Sequence, residues 1–232
     1  MSPRRHPVLF ALVALPAAFA VGCIPTARLV VWLFGGGRGA VIEGKAGAHA
    51  VRHSVGVGPA IATGVIDALK GYSIARLARH YGAGRNLTGA LAVAPLVAHV
   101  MVVRGRGVAT AVGTAFAIDE PTMLVAGLPM AAGSIARHHA FSVMLTAITY
   151  VPVRWVFTRA WSAPLWGLIA VLVLVYARLR GEGNSVLPQR LTRELAWNRF
   201  WYDNDEPRRA PDTEPEKPAA DTVGADAAAT QA

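Results

Sequence analysis

Seven uncharged and largely apolar runs follow one another along this chain of 232 residues. The runs without Asp, Glu, Lys or Arg extend over 7–27, 53–66, 86–103, 107–118, 121–136, 138–153 and 160–177. In lipid every backbone polar group must be paired, so only helices and closed barrels can cross. Runs such as 168–175 do not alternate apolar and polar residues as barrel strands would. The sequence therefore predicts an all-α, multi-pass integral membrane helical bundle.

The lengths of these runs set the number of membrane segments. A spanning helix needs about 20 apolar residues, and the runs 7–27, 86–103 and 160–177 meet this without help from neighbouring segments. The runs 107–118 and 121–136 are shorter and are separated by an Asp-Glu-Pro turn, which predicts two short or tilted helices. We expect five to seven membrane segments in all.

The run 53–66 reaches spanning length only if its helix continues through Asp67 and Lys70 to about Ser73. Residues three apart lie on one helical face, so these side chains can neutralise each other at a depth where either charge alone is costly. Such a pair is a candidate functional site, and the alternative is a structural ion pair that joins two helices. Lys70 could instead end the helix at a membrane surface, because basic residues follow it.

The charges are unevenly distributed along the chain. Residues 203–232 contain eight acids and three bases, whereas residues 1–202 contain twenty bases and six acids. Only 16% of all residues are charged and 53% are hydrophobic, which excludes an ordinary soluble domain. Because the cations punctuate apolar runs and do not cover a polar surface, we expect anionic lipid or phosphate as partner and no nucleic acid.

The same contrast predicts a membrane domain over residues 1–202 and a disordered tail over 203–232. The tail has too few large apolar residues to offset the entropy of ordering. Before it, Trp197, Trp201 and Tyr202 lie close to basic residues, a composition that favours a helix at the level of the lipid headgroups.

The N-terminal run has a second interpretation. Two arginines, an apolar stretch and the sequence Ala-Val-Gly-Cys ending at Cys23 resemble a signal peptide with a lipoprotein box. Such boxes usually carry Leu where Ala20 stands, so we expect the first helix to be retained. Cys23 is the single cysteine, which excludes an internal disulfide framework and a cysteine-rich zinc site.

Four short motifs occur in one order along the chain. They read Gly-Cys-Ile-Pro at 22–25, Glu-Gly-Lys-Ala-Gly-Ala-His-Ala-Val at 43–51, Asp-Ala-Leu-Lys-Gly at 67–71 and Gly-Arg-Gly-Val-Ala-Thr-Ala-Val-Gly at 105–113. They resemble motifs of the acyl-phosphate-dependent glycerol-3-phosphate acyltransferases of bacterial membranes (PlsY type), namely Gly-Ser-Ile-Pro, Ser-Gly-Asn-x-Gly-Ala-Thr-Asn-Val, Asp-x-x-Lys-Gly and Gly-Lys-Gly-Val-Ala-Thr-x-x-Gly. The resemblance covers about residues 15–180.

The resemblance implies an enzyme of the bacterial inner membrane that transfers an acyl group from acyl phosphate to the 1-hydroxyl of glycerol 3-phosphate. It implies no metal and no organic cofactor. Arg106 and Glu43 are the expected catalytic residues. The expected substrate-binding residues are Gly44, Lys45, Gly47, Arg52, Asp67, Lys70, His99, Arg104, Gly105, Gly107 and Thr110. Among these, Lys45 and Arg52 would hold glycerol 3-phosphate, and apolar helix surfaces would receive the acyl chain.

The segment Arg104-Gly105-Arg106-Gly107 has the chemistry of a phosphate site. Glycines expose backbone N–H groups, the following helix directs its positive end toward the turn, and a guanidinium donates paired hydrogen bonds to phosphate oxygens. The alternative is a basic turn kept on the cytoplasmic side of the membrane, which needs Arg but neither the glycine spacing nor Thr110.

Two of the expected site residues have a second interpretation. Glu43 stands where the family has a hydroxyl residue, and it can act as a base toward the glycerol hydroxyl or pair with Lys45 or Arg52 in a salt bridge. His99 aligns with a family histidine, and the alternative is a hydrogen-bonded histidine in the core.

The end of the last apolar run departs from the family. The family carries His-Arg-Glu-Asn there, whereas residues 179–184 read Leu-Arg-Gly-Glu-Gly-Asn. No general base is evident, so substrate phosphate is the expected proton acceptor. One alternative is a non-catalytic member that binds phospholipid or partners another membrane enzyme. A small transporter gated by Asp67 and Lys70 is a third hypothesis, for which the sequence shows no inverted repeat.

Overall fold

The computed structural model describes residues 7–35, 47–136, 138–159, 162–180 and 192–202, and all regular structure in these ranges is helical. The helices are α1 (Pro7–Gly22), α2 (Thr26–Phe34), α3 (Ala48–Val55), α4 (Val57–His80), α5 (Arg85–Met101), α6 (Val108–Ile118), α7 (Glu120–Ala126), α8 (Leu128–Ile135), α9 (His139–Thr158), α10 (Ser162–Leu179) and α11 (Arg193–Tyr202). The predicted all-α class is confirmed. The expected tail over 203–232 lies outside the described residues.

The long helices run back and forth between the two ends of one bundle. Helix α6 leads from the turn that holds Arg106 to Asp119, and we name the two ends of the bundle after these residues. At the Asp119 end, Arg154 of α9 bonds to Asp119, and at the Arg106 end, Arg180 after α10 bonds to the carbonyl of Val100 in α5. In chain order, α1 with α2, α4, α5, α6, α7 with α8, α9 and α10 make seven passes. Each connection between two consecutive passes therefore lies at either the Arg106 end or the Asp119 end.

The first pass is broken where the sequence predicts one continuous run. Helix α1 ends at Gly22, α2 begins at Thr26, and their axes differ by 40°. Pro25 stands in the break, where its missing N–H cannot continue the helical ladder. Gly22 allows the close approach of α5, because a Cβ there would lie 2.6 Å from Cα of Pro95 and 2.7 Å from Cβ of Ala98. The break therefore faces the core of the bundle.

Helix α4 continues through Asp67 and Lys70, as spanning length requires. It has 24 residues, corresponding to about 36 Å, so it exceeds the thickness of a hydrocarbon core. The alternative in which Lys70 ends the helix is wrong, because the helix extends to His80. Burial of both charged side chains against other helices makes this continuation possible.

The polar turn before α7 is present, but the run 121–136 forms two helices. Asp119 caps α7 by accepting hydrogen bonds from the N–H and the hydroxyl of Thr122, at 3.3 and 2.6 Å. Helix α7 ends at Ala126 and α8 begins at Leu128. Pro129 in the first turn of α8 lacks the N–H that would extend the ladder of α7.

Helix lengths indicate fewer membrane-spanning segments than the uncharged runs of the sequence do. Within the described ranges, one helix is by itself long and apolar enough to cross a membrane, over Ala140–Thr158, and the bent pair α1–α2 gives a second if it counts as one span. This helix includes Arg154, which the pairing with Asp119 at 2.7 Å neutralises. Helix α5 has 17 residues, which is the lower limit of length for a spanning helix. The number of five to seven membrane segments stays a prediction.

The aromatic and basic segment near the C-terminus forms α11 and packs on the bundle. The ring of Trp201 lies 4.9 Å from that of Phe141 at the start of α9. Arg199 is buried and donates a hydrogen bond to the carbonyl of Leu179 at 3.0 Å. Helix α11 therefore covers the Arg106 end of α9 and α10, and its location at lipid headgroups stays a prediction.

Candidate functional site

The crossing of α4 and α6 joins two of the sequence motifs. A Cβ at Gly71 would collide with the carbonyl of Thr110 and lie 3.1 Å from the nitrogen of Thr114. A Cβ at Gly113 would lie 2.9 Å from Cα of Ala68 and collide with that residue's carbonyl. The glycine of Asp-x-x-Lys-Gly and the last glycine of the 105–113 motif thus bring the two backbones into contact, which only residues without a side chain permit.

Asp67, Lys70 and His99 form a buried polar cluster beside this crossing, with exposed fractions of 4, 5 and 4%. The Lys70 ammonium donates to Asp67 Oδ1 and to the carbonyl of Ile24, both at 2.7 Å. His99 Nδ1 lies 3.9 Å from the same carboxylate oxygen. Since Ile24 stands in the break between α1 and α2, the cluster connects α4 with that break and with α5. Of the two interpretations of Asp67 and Lys70, this geometry fits the structural ion pair that joins helices. The sequence did not indicate the third partner, the carbonyl of Ile24.

The turn 104–107 is held by backbone contacts. Arg104 and Gly107 adopt left-handed conformations, with φ of 62° and 72°. The N–H of Gly105 donates to the carbonyl of His99 at 3.2 Å, so this donor is engaged within the protein and not directed at a ligand, contrary to its expected role. A Cβ at Gly107 would collide with Leu96. The turn is therefore a fixed platform that presents Arg104 to solvent and leaves Arg106 half-buried.

Thr110 lies one turn into α6, below this platform. Its side chain is fully buried, and its hydroxyl has no hydrogen-bond partner among the described residues. Because α6 begins at Val108, the N–H groups of its first turn also lack helical acceptors. Thr110 and the start of α6 thus provide hydrogen-bonding capacity beside Arg106.

Three arginines that sequence reasoning missed lie at the same end of the bundle. Arg178 is 3% exposed, donates to the carbonyl of Phe200 at 3.4 Å, and is close enough to Arg106 for their charges to repel. Arg180 donates to the carbonyl of Val100, and Arg199 to that of Leu179. The sequence signal was the Arg-Leu-Arg at the end of α10, which we interpreted only as a departure from the family motif. Positive charge is therefore concentrated behind the turn.

Helix α3 lies at the same end as the turn 104–107. Val51 of α3 is fully buried in a cluster with Val31, Ala60 and Val103, and Val103 directly precedes Arg104. Gly47 precedes α3, and Arg52 is exposed on it. The predicted site residues Glu43, Gly44 and Lys45 lie outside the described residues, so the expected approach of Lys45 to Arg106 stays a prediction.

An elongated cavity of about 320 Å³ lies between α5, α6, α9 and α10. At one end it is lined by Leu96, Val108 and Leu174, and Leu96 and Leu174 also contact the space beside Gly107. At the Asp119 end it is lined by Arg79 and Arg154. The wall between is mainly apolar, so an apolar cavity extends from the side chains packed beside Gly107 into the interior of the bundle.

Comparison with known proteins identifies relatives of one kind. The profile of the family described as "Glycerol-3-phosphate acyltransferase" matches residues 12–187. A glycerol-3-phosphate acyltransferase of Rubrobacter xylanophilus is 36% identical over 111 residues, which are 46% of this chain and 56% of that protein. One of Dechloromonas aromatica is 32% identical, and the match covers 56% of this chain and 66% of that protein. One of Thermus thermophilus is 27% identical, and the match covers 68% of this chain and 80% of that protein. The chain therefore spans less than two thirds of the length of the first two relatives.

Two crystal structures share the fold. They are of PlsY, an integral membrane glycerol 3-phosphate acyltransferase, in a lysophosphatidic acid form and a glycerol 3-phosphate form. Both have a TM-score of 0.64 and cover 72% of this chain. The lysophosphatidic acid form is 22% identical with 87% of its own chain covered, and the glycerol 3-phosphate form is 21% identical with 88% covered. The match confirms the predicted class of an integral membrane helical bundle. With its family profile matched over three quarters of its length, the chain belongs to the glycerol-3-phosphate acyltransferase family.

Proposed function

We propose that the protein is a membrane acyltransferase that transfers an acyl group from acyl phosphate to the 1-hydroxyl of glycerol 3-phosphate. One observation carries the proposal: Leu96 and Leu174, which line one end of an apolar cavity, also pack beside Gly107 in the cationic turn that holds Arg106. An acyl phosphate has the same division into a charged group and an apolar chain. The family membership supports the choice of reaction.

The phosphate group of the donor binds at the turn. Arg106 donates charge-assisted hydrogen bonds to its oxygens, and the N–H groups at the start of α6 add the field of a helix N-terminus. Arg178 is buried behind Arg106, and the repulsion between the two guanidiniums is relieved when an anion lies beside them. The acyl chain extends into the cavity between α5, α6, α9 and α10.

The reaction needs no nucleophilic side chain. The 1-hydroxyl oxygen of glycerol 3-phosphate attacks the acyl carbonyl carbon, the ester bond forms, and the bond from that carbon to the phosphate oxygen breaks. The departing phosphate accepts the hydroxyl proton, which gives lysophosphatidic acid and inorganic phosphate. Arg106 stabilises the negative charge that develops on the carbonyl and leaving oxygens, and orientation of the two substrates lowers the entropic part of the barrier.

The remaining site residues have supporting roles in this proposal. Arg52, on α3 at the same end as Arg106, is proposed to bind glycerol 3-phosphate. Lys45 and Glu43 keep the roles that the family resemblance implies for them. Asp67, Lys70 and His99 are buried away from solvent, and we assign them as positioning residues that hold α4, α5 and the α1–α2 break together. The bacterial inner membrane and its lipids are the proposed surroundings.

The proposal is tested with vesicles that contain the purified protein, palmitoyl phosphate and glycerol 3-phosphate. We expect release of lysophosphatidic acid and phosphate in equal amounts, and a fall in kcat/KM of about 10²-fold for Arg106→Ala, because one preorganised charge is removed from the transition state. Arg76→Ala is the matched control, since Arg76 is exposed on α4 toward the Asp119 end and its removal should leave the rate unchanged.

Two results would contradict this function. Undiminished product release by Arg106→Ala would remove the turn from the mechanism. Retention of phospholipid by the protein without any turnover would instead support the non-catalytic alternative stated above.

A further inference from the structure

Helix α11 lies outside the part of the chain that the family profile matches, yet it packs at the end where the proposed phosphate site lies. The profile match ends at residue 187, and α11 spans Arg193–Tyr202. Thr192 caps the helix by accepting a hydrogen bond from the N–H of Leu195 at 3.2 Å. A helix that only lay at lipid headgroups would not need a buried arginine, so the burial of Arg199 requires an explanation.

Two hydrogen bonds in opposite directions join α11 to the end of α10. Arg199 of α11 donates to the carbonyl of Leu179 at 3.0 Å, and Arg178 of α10 donates to the carbonyl of Phe200 at 3.4 Å. Carbonyls in the last turn of a helix lack intrahelical donors, so each guanidinium satisfies an acceptor that the other helix leaves open. The C-terminal ends of α10 and α11 are therefore fixed to each other.

The end of α10 is also fixed to the helix that precedes the cationic turn. Arg180 donates to the carbonyl of Val100 in α5 at 3.0 Å. Leu174 of α10 lies beside the turn, because its Cδ2 atom would be 3.8 Å from a Cβ at Gly107. Phe200 packs on the buried cluster that contains Leu174 and Val100. Helix α11 therefore packs on side chains that also support the turn.

Arg178 is a buried cation whose charge no carboxylate in the described part of the chain balances. It is 3% exposed, its Nε atom has no hydrogen-bond partner among the described residues, and the charge that acts on it is that of Arg106. A buried like-charge pair is unfavourable unless an anion compensates it. The two guanidiniums therefore create a positive potential at the turn, to which Arg178 contributes only while it stays beside Arg106.

We propose that α11 completes the phosphate site by holding Arg178 beside Arg106. The Phe200 carbonyl fixes the Arg178 guanidinium, and Arg199 fixes the end of α10 on which Arg178 stands. Both arginines are positioning residues that act through Arg106, because the field of Arg178 adds to the attraction of Arg106 for an anion. The inference rests on the proposed function, since it takes the turn as the site of the donor phosphate, and it adds no chemical step.

The first test measures binding without turnover. The protein in detergent is titrated, in a calorimeter, with the phosphonate analogue of palmitoyl phosphate, in which a methylene group replaces the bridging oxygen. We expect Arg178→Met to weaken binding on the order of tenfold, because one unit charge near the anion is lost. The free energy of unfolding should not fall, since methionine removes an uncompensated buried charge. Lower stability with unchanged affinity would show a merely structural role and would overturn the inference.

The second test concerns the contact between α11 and α10. Arg199→Gln should weaken binding of the same analogue about threefold, because the end of α10 loses one contact that fixes it. Arg199→Lys keeps a charged donor for the Leu179 carbonyl and should restore most of the affinity. Arg193→Gln is the matched control, since Arg193 is exposed on the same helix and its removal takes away an equal charge. An equal loss of affinity in the control would mean that only net charge matters, contrary to the inference.

The double variant shows whether the two arginines act together. If Arg199 acts through Arg178, Arg199→Gln should have no further effect on affinity in the Arg178→Met background. Two losses that multiply would mean separate actions and would refute the inference.

Turnover measurements separate this inference from the proposed function. With palmitoyl phosphate and glycerol 3-phosphate, Arg178→Met should raise the KM for the donor about tenfold and leave kcat within about twofold, because Arg106 remains to stabilise the reacting groups. Without turnover the proposed function fails, whereas the calorimetric results still decide the inference. Turnover with an unchanged KM for the donor would contradict the inference and leave the proposed function standing. No binding of the analogue by the wild type would overturn both.

Discussion

Lys70 makes one polar contact that local spacing predicts and one that it does not. One is Asp67, a single helical turn earlier, and the other is the carbonyl of Ile24, 46 residues earlier in the chain. A buried ion pair is stable only when further hydrogen bonds satisfy the charged groups. At this position the helix break supplies the additional acceptor, so the charged side chains and the break stabilise each other.

Removing only one member of this pair should be much worse than removing both. Asp67→Asn leaves the Lys70 charge buried without a carboxylate, and we expect a loss of about 3–5 kcal/mol in the free energy of unfolding. The double variant Asp67→Asn, Lys70→Met should recover most of that loss. Denaturant unfolding of the protein in detergent gives the coupling energy. Additive effects of the two changes would show that the residues do not act as a pair.

The crossing of α4 and α6 decides where the ends of these helices lie. Gly71 and Gly113 allow the backbones to touch, and this contact sets Lys70 and Thr110 on facing helices at similar depth. Lipid provides no hydrophobic drive between helices, so close packing of small residues carries a larger share of the association. The two motifs that resemble the family are thus also the packing surface that builds the site.

Alanine at Gly113 should therefore separate the two helices. We expect Gly113→Ala to destabilise the protein by about 1–3 kcal/mol, because its Cβ would collide with the Ala68 carbonyl. The matched control is Gly64→Ala on α4, whose Cβ would be 4.0 Å from Ala48 Cβ and should stabilise the helix by up to about 1 kcal/mol. The same unfolding assay measures both variants. A stable Gly113→Ala protein would exclude a tight crossing in solution.

At the scale of the whole molecule, alternate passes place three distant segments at one end. The α3 segment, the turn 104–107 and the end of α10 are separate in sequence but share the Arg106 end through the contacts of Val51, Val103 and Arg180. The apolar cavity then runs from that end toward Arg154. The proposed function places the phosphate of the acyl donor at the turn and its acyl chain in this cavity.

This arrangement predicts which residues share a face of the membrane. In a Cys23→Ala background, Ser54→Cys and His138→Cys should react with an impermeant maleimide from one face, and Asn86→Cys from the other, because all three positions are exposed and α4 and α5 make full passes. Labelling of sealed vesicles in both orientations measures this. Reaction of Ser54→Cys and His138→Cys from opposite faces would exclude the seven alternating passes and with them the shared site.

The sequence by itself determined the helical membrane class, the family and the glycine motifs, because run length, charge and motif order are local properties of the chain. It did not determine the break at 23–25, the division of α7 from α8, or the position of Arg178 beside Arg106. Those depend on contacts between residues far apart, such as Arg180 with Val100 across 80 positions, which pattern and composition do not encode. Only tertiary packing decided which buried polar groups found hydrogen-bond partners among the described residues.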